Sequence, residues 1–159
     1  MCIRDRIYPA RLGKRGKVAL EVEHLSRAGT FADVSFKVHG GEIVGLGGLV
    51  GSGRTEIARV LFGIDQRSVG AIRVDGVDVS FRSPDEAMRA GIAYLSEDRL
   101  GQSLIMDFSV LFNASLPVID RASLAGIVLR QRETALVAPH LHRLRLRYRS
   151  CLLYTSRCV

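Results

Sequence analysis

The chain has 159 residues, 47% of them apolar and 25% charged, with a formal net charge of +7, a composition that suits one globular domain with a hydrophobic core. No apolar run approaches the roughly eighteen residues that a membrane span needs, and no secretory pattern opens the chain, so the sequence predicts a cytoplasmic protein. Residues 1–16 carry +4 of the charge and residues 151–159 carry +1, leaving +2 for residues 17–150, and so neutral a body argues against a nucleic-acid face.

The opening MCIRDR and the closing CLLYTSRCV read as translations of the mosaic-end adapter of transposon-based sequencing libraries. Residues 1–6 and 151–159 are therefore expected to be adapter-derived and stand outside fold reasoning. They hold all three cysteines, Cys2, Cys151 and Cys158, which show neither an even count nor metal-ligand spacing. Residues 7–16, IYPARLGKRG, have the Pro, Gly and basic composition of an exposed linker.

Structure is expected from Lys17. VALEVEHL and DVSFKV alternate apolar and polar residues and predict two strands separated by a turn at Gly29. GGEIVGLGG predicts a short apolar strand that runs into glycines. From Gly48 to Thr55 the sequence reads G-x-x-x-x-G-R-T, the phosphate-cradling P-loop pattern with Arg54 in the place of lysine. Ile57, Val60 and Leu61 then recur at helical spacing, with Gly63 as the stop. AIRVDGVDVSF predicts a hairpin about Asp75-Gly76. SPDEAMRAG predicts a short helix, with Ser83 as N-cap, Pro84 at its first position, Glu86 completing a capping box and Gly91 closing it. GIAYL predicts a buried strand, and SEDRLGQSL a loop at its carboxyl end. Ser109 is placed to cap a helix through VLFNASL. RQRETALV is helix-like but is interrupted by Pro139, and LHRLRLRY alternates apolar with basic residues.

The chemistry lies in the glycine-rich loop. Gly48, Gly51 and Gly53 let backbone N–H groups approach anionic oxygens, and the helix that follows adds its positive end. Ser52 is small and polar, and the Thr55 hydroxyl is placed to ligate Mg²⁺. Arg54 keeps the positive charge on a longer, forked side chain, so nucleotide binding should be retained or weakened and hydrolysis should suffer more. The bland alternative is a glycine-rich turn that serves packing alone.

Residues 17–120 resemble the ATP-binding protein of monosaccharide ABC importers of the ribose, xylose and galactose type, and within it the second of two tandem ATPase halves. The likeness rests on LEVEHLSRAGTFADVSFKVHGGEIVGLGGLVGSGRTEIARVLFG, GAIRVDG and RSPDEAMRAGIAYLSEDR. Arg54, and Glu97 where a typical half has the Q-loop glutamine, point to the second half. The resemblance implies an α/β fold, a P-loop NTPase of ABC type whose mixed sheet has an antiparallel portion and is incomplete here. It implies ATP and Mg²⁺ as cofactors, with Gly48, Gly51, Ser52, Gly53, Arg54 and Thr55 on the phosphates and Thr55 also on the metal. Glu97, Asp98 and Arg99 would form the loop that senses nucleotide and couples to a membrane permease. The implied partners are a first ATPase half, the permease and, indirectly, an external sugar-binding protein. The implied location is the cytoplasmic face of the plasma membrane.

An aromatic near the chain start often stacks on adenine in this family; Phe31 is a candidate, though core packing is the simpler role for it. The sequence contains no LSGGxxQ signature, Walker B Asp-Glu pair or switch histidine, and His140 and His142 read as surface or structural. Residues 17–150 are thus expected to be the N-terminal part of an ABC ATPase domain, with no complete hydrolytic site. The alternatives are a noncatalytic nucleotide-binding or dimerisation module and a soluble P-loop kinase.

Overall fold

A computed structural model describes residues 15–144, so the cysteines, the expected adapter-derived ends, most of the linker and the end of LHRLRLRY lie outside the described residues. The described chain divides after Tyr94 into two compact units.

The first unit is built on an antiparallel sheet. Strands β1 (Val18–Arg27), β2 (Phe31–His39), β3 (Val69–Val74) and β4 (Val77–Val79) lie in the order β2-β1-β3-β4. All ladders among the described residues are antiparallel, so the antiparallel portion of the expected mixed sheet is the part that is built. Asp75 and Gly76 both take positive φ, 49° and 81°, as the tight turn between β3 and β4 requires. Helix α1 (Arg54–Leu61) lays Val60 against Val22, Leu25 and Ile72, and Leu20, Phe31, Phe36, Leu61 and Val79 surround this cluster. Burying a leucine such as Leu25 contributes roughly 2 kcal/mol.

Strict alternation along β1 would aim Leu20, Val22 and then His24 at the core. A bulge prevents this. The register slips between Val22 and Leu25, and His24 takes a φ of 48°. Its backbone N–H turns to the Ser35 hydroxyl at 2.8 Å, and Leu25 takes the core position with no exposure. Such an extra residue shifts the facing of everything after it. On β3 the bulge is matched by Gly70, with a φ of 104°; a Cβ there would lie 2.6 Å from both the His24 oxygen and the Leu25 Cα.

Helix α2 (Pro84–Arg89) follows the expected start. Ser83 accepts a hydrogen bond from the Glu86 N–H at 3.4 Å, while the Glu86 carboxylate reaches back to the Arg82 N–H at 2.7 Å. Gly91 takes positive φ just past its end.

Two expected strands are absent among the described residues. Residues 43–49 and 92–95 form no ladder, and Ile43 and Leu95 are 98% and 91% exposed. Their apolar character encodes burial between neighbouring strands, and no described strand lies alongside them to supply the hydrogen-bonding partners.

The second unit is small and mostly helical. After a single π-type turn at Arg99–Ser103, it contains α3 (Val110–Ser115), a 3₁₀ turn, α4 (Ile119–Ala122), a hairpin of β5 (Ser123–Leu124) and β6 (Ile127–Val128), and α5 (Arg130–Arg143). Ser109 caps α3 as expected, accepting from the Phe112 N–H at 3.1 Å. Pro139 does not end α5, contrary to expectation. It removes one backbone donor, but α5 packs along α3 and α4, and buried Val137 and Glu133 hold it there. The Glu133 carboxylate accepts a 2.6 Å hydrogen bond from the Ser115 hydroxyl, which satisfies both buried groups.

Candidate nucleotide-binding loop

The loop from Gly48 to Thr55 joins an unladdered extended segment to α1, and its shape depends on glycines. Gly51 and Gly53 adopt φ of 81° and 84°, a region that costs any residue with a Cβ. At Gly48 an added Cβ would meet the Ser52 hydroxyl, which would have to turn away. The Ser52 N–H donates to the Leu49 oxygen at 3.1 Å and closes the turn, and the Ile57 N–H to the Gly53 oxygen at 2.9 Å starts the helix.

Gly53 is the N-cap of α1 and, having no side chain, supplies no cap hydrogen bond. The first N–H groups of α1 therefore stand without a side-chain acceptor, beside the exposed Thr55 hydroxyl. Such an end favours an anion through its oriented amides and the helix dipole. Arg54, also exposed, folds back so that its guanidinium donates to the Leu49 oxygen at 3.5 Å. These features suit a phosphate group. For Mg²⁺ the loop offers the side-chain hydroxyls of Ser52 and Thr55 and no carboxylate. No cluster of three or more His, Cys, Asp or Glu able to hold a metal occurs among the described residues, so a magnesium ion here would depend on phosphate oxygens and water.

Glu97 and Asp98 lie in the second unit, both exposed. Asp98 caps the turn that follows by accepting from the Gly101 N–H at 2.9 Å, and its own N–H donates to the Ser96 hydroxyl at 3.1 Å. Arg99 opens that turn. Phe31 is half-buried and belongs to the rim of the first unit's core, which supports its packing role. His140 and His142 are exposed in the last turn of α5, where a cation would complement the helix dipole.

A set of residues that no motif marks ties α1 to the turn between β1 and β2. Asp65 accepts from Arg59 Nε at 2.7 Å and Arg59 Nη2 at 3.3 Å, and from Arg27 Nη1 at 2.8 Å. The two guanidinium groups, that of Arg59 foremost, hold the Asp65 carboxyl below the usual carboxylate range. Its contribution to stability is complete above the unfolded value, and is lost as pH falls through the lower folded value. Only the i, i+6 spacing of Arg59 and Asp65 across the end of α1 hints at this pairing in the sequence.

A model of the ABC transporter family matches residues 31–150. The chain belongs to the ABC transporter family. Ribose import ATP-binding protein RbsA 2 of Streptomyces avermitilis is 46% identical over 129 residues, covering 81% of this chain and 26% of the relative. Ribose import ATP-binding protein RbsA of Oceanobacillus iheyensis is 39% identical over 143 residues, covering 90% of this chain and 29% of the relative. This member of the family thus spans little more than a quarter of the length of the curated relatives it matches. Among solved structures, the ATP-binding cassette MJ0796, as a dimer in a post-hydrolysis state bound to ADP and Pi, aligns with a TM-score of 0.65. The alignment has 18% identity and covers 88% of this chain and 63% of that one. That likeness establishes the fold as the α/β P-loop NTPase fold of ABC type.

Proposed function

We propose that this chain is the ATP-binding part of an ATPase subunit that energises import of a monosaccharide-like solute, and that it comes from the second of two tandem ATPase halves. The observation that carries the reading is the Gly48–Thr55 loop. Its left-handed glycines and uncapped helix start form a phosphate cradle, in a chain whose curated relatives are ribose import ATP-binding proteins. In this reading Gly48, Gly51, Ser52 and Gly53 present the backbone to the phosphates, and Arg54 swings from the Leu49 oxygen to add charge. Thr55 offers its hydroxyl to Mg²⁺. ATP bound there supplies the anionic oxygens that complete the metal's ligand set. Glu97, Asp98 and Arg99 form the coupling loop toward a permease, at the cytoplasmic face of the membrane, and a first ATPase half and an external sugar-binding protein complete the system.

The test is fluorescence titration of the full chain with a labelled ATP analogue, with and without Mg²⁺. The expected result is saturable binding that Mg²⁺ tightens in the wild type, and Thr55→Ala should remove roughly tenfold of the Mg²⁺-dependent affinity while leaving the metal-free affinity in place. Absence of saturable binding by folded wild-type chain overturns the reading.

A further inference from the structure

The turn between β1 and β2 borders the phosphate loop. Gly53 packs tightly on this turn, since an added Cβ would lie 3.0 Å from the Phe31 Cβ and 3.1 Å from the Thr30 oxygen and would press on both. The same turn walls an open depression of about 510 Å³, lined by residues 26–32 and Ser68, a volume within the range of small-molecule sites. A ligand with its phosphates on the loop therefore has this depression next to it.

The position of that turn is set by residues 64–68. On one side the N–H groups of Ile64 and Asp65 donate to the Arg59 oxygen at 3.0 and 3.3 Å, anchoring the segment to the end of α1. On the other, the Ser68 N–H donates to the Ser26 oxygen at 2.8 Å, and the Ala28 N–H donates to the Ser68 hydroxyl at 3.0 Å. Asp65 bridges both sides with its ion pairs to Arg59 and Arg27, and its side chain is only 14% exposed. A charge-assisted, bidentate pair of this kind fixes geometry as well as energy.

We infer that Asp65 is a positioning residue for nucleotide binding, which holds the depression-lining turn against α1 so that one ligand can occupy the phosphate loop and the depression together. The inference rests on the nucleotide-binding reading above. Asp65 touches no ligand; it acts through Arg27 and the turn. Its loss should therefore weaken binding of the nucleoside end of ATP far more than binding of the phosphates alone.

The experiment compares ATP with inorganic triphosphate as competitors for the labelled analogue on the full chain, in wild type and Asp65→Asn, with circular dichroism melts as the fold control. The expected result is a roughly tenfold loss of ATP affinity with less than about a twofold change for triphosphate. Equal losses for both, a loss confined to triphosphate, or no loss overturns the inference and leaves the nucleotide-binding reading standing. Wild type that binds neither probe sinks that reading, and the inference with it. If Asp65→Asn does not fold, Arg59→Gln, which removes two of the three hydrogen bonds to Asp65 and keeps that of Arg27, is judged by the same outcomes.

Discussion

Residues 18–39 and 69–79 form a laddered sheet, whereas residues 43–49 and 92–95, no less apolar, form none among the described residues. The difference is where each strand must find its neighbour. β3 meets β4 across a two-residue turn and β1 meets β2 across a short one, so those pairings are local and antiparallel, and the two hairpins then join through the longer-range β1–β3 ladder. An apolar run without alternation is suited to burial on both faces, usually among parallel strands that reach it through long crossovers. Alternation carries half of its own solution in the adjacent sequence; a continuous apolar run carries only the demand.

That contrast can be broken most directly at Gly70. If the laddered region is held by its bulge, Gly70→Ala should cost about 4 kcal/mol. Part of this is left-handed backbone strain and part is overlap with the β1 backbone. Urea denaturation measures it, and a loss below about 1 kcal/mol would show that β1 and β3 separate without cost. A paired comparison sharpens the same point: Leu25→Ala should lose about 3 kcal/mol, while Ile43→Ala, on a side chain that touches little, should stay within about 0.5 kcal/mol. Similar losses at both positions would mean that the 43–49 segment is packed in solution. A loss smaller than that at Leu25 is expected where local chemistry persists next to an unladdered segment: Ser83→Ala should cost about 1 kcal/mol through loss of the α2 cap, read as a lowered urea midpoint. No change there would place the stability of α2 in its packing, with buried Ala87 as the anchor.

These cases also show what the sequence makes legible. The Asp75-Gly76 turn, the Ser83 and Ser109 caps and the two alternating strands are each written within a few adjacent residues, and each forms as expected. The glycine pattern of the phosphate loop is equally local, and its left-handed positions follow from it. The Asp65 bridge was not legible, because Arg27, Arg59 and Asp65 come together only when α1 packs on the sheet. The bulge at His24 was not legible either. Alternation would have placed a histidine inside, and the residue that accommodates the correction, Gly70, is distant in sequence. Pro139 shows the reverse error, a strong local signal overruled by the packing of the rest of its helix.

The bulge at His24 has a consequence for how the strand tolerates change in length. Deleting this exposed residue would place Leu25 two positions after Val22, so plain alternation would keep Leu25 inward and Ser26 outward, and the strand would lose only the bulge and the His24 N–H bond to the Ser35 hydroxyl. The strand already holds one residue more than its pleat needs at this point, so loss of His24 should be far better tolerated than insertion of a further residue beside it, which would turn Leu25 outward.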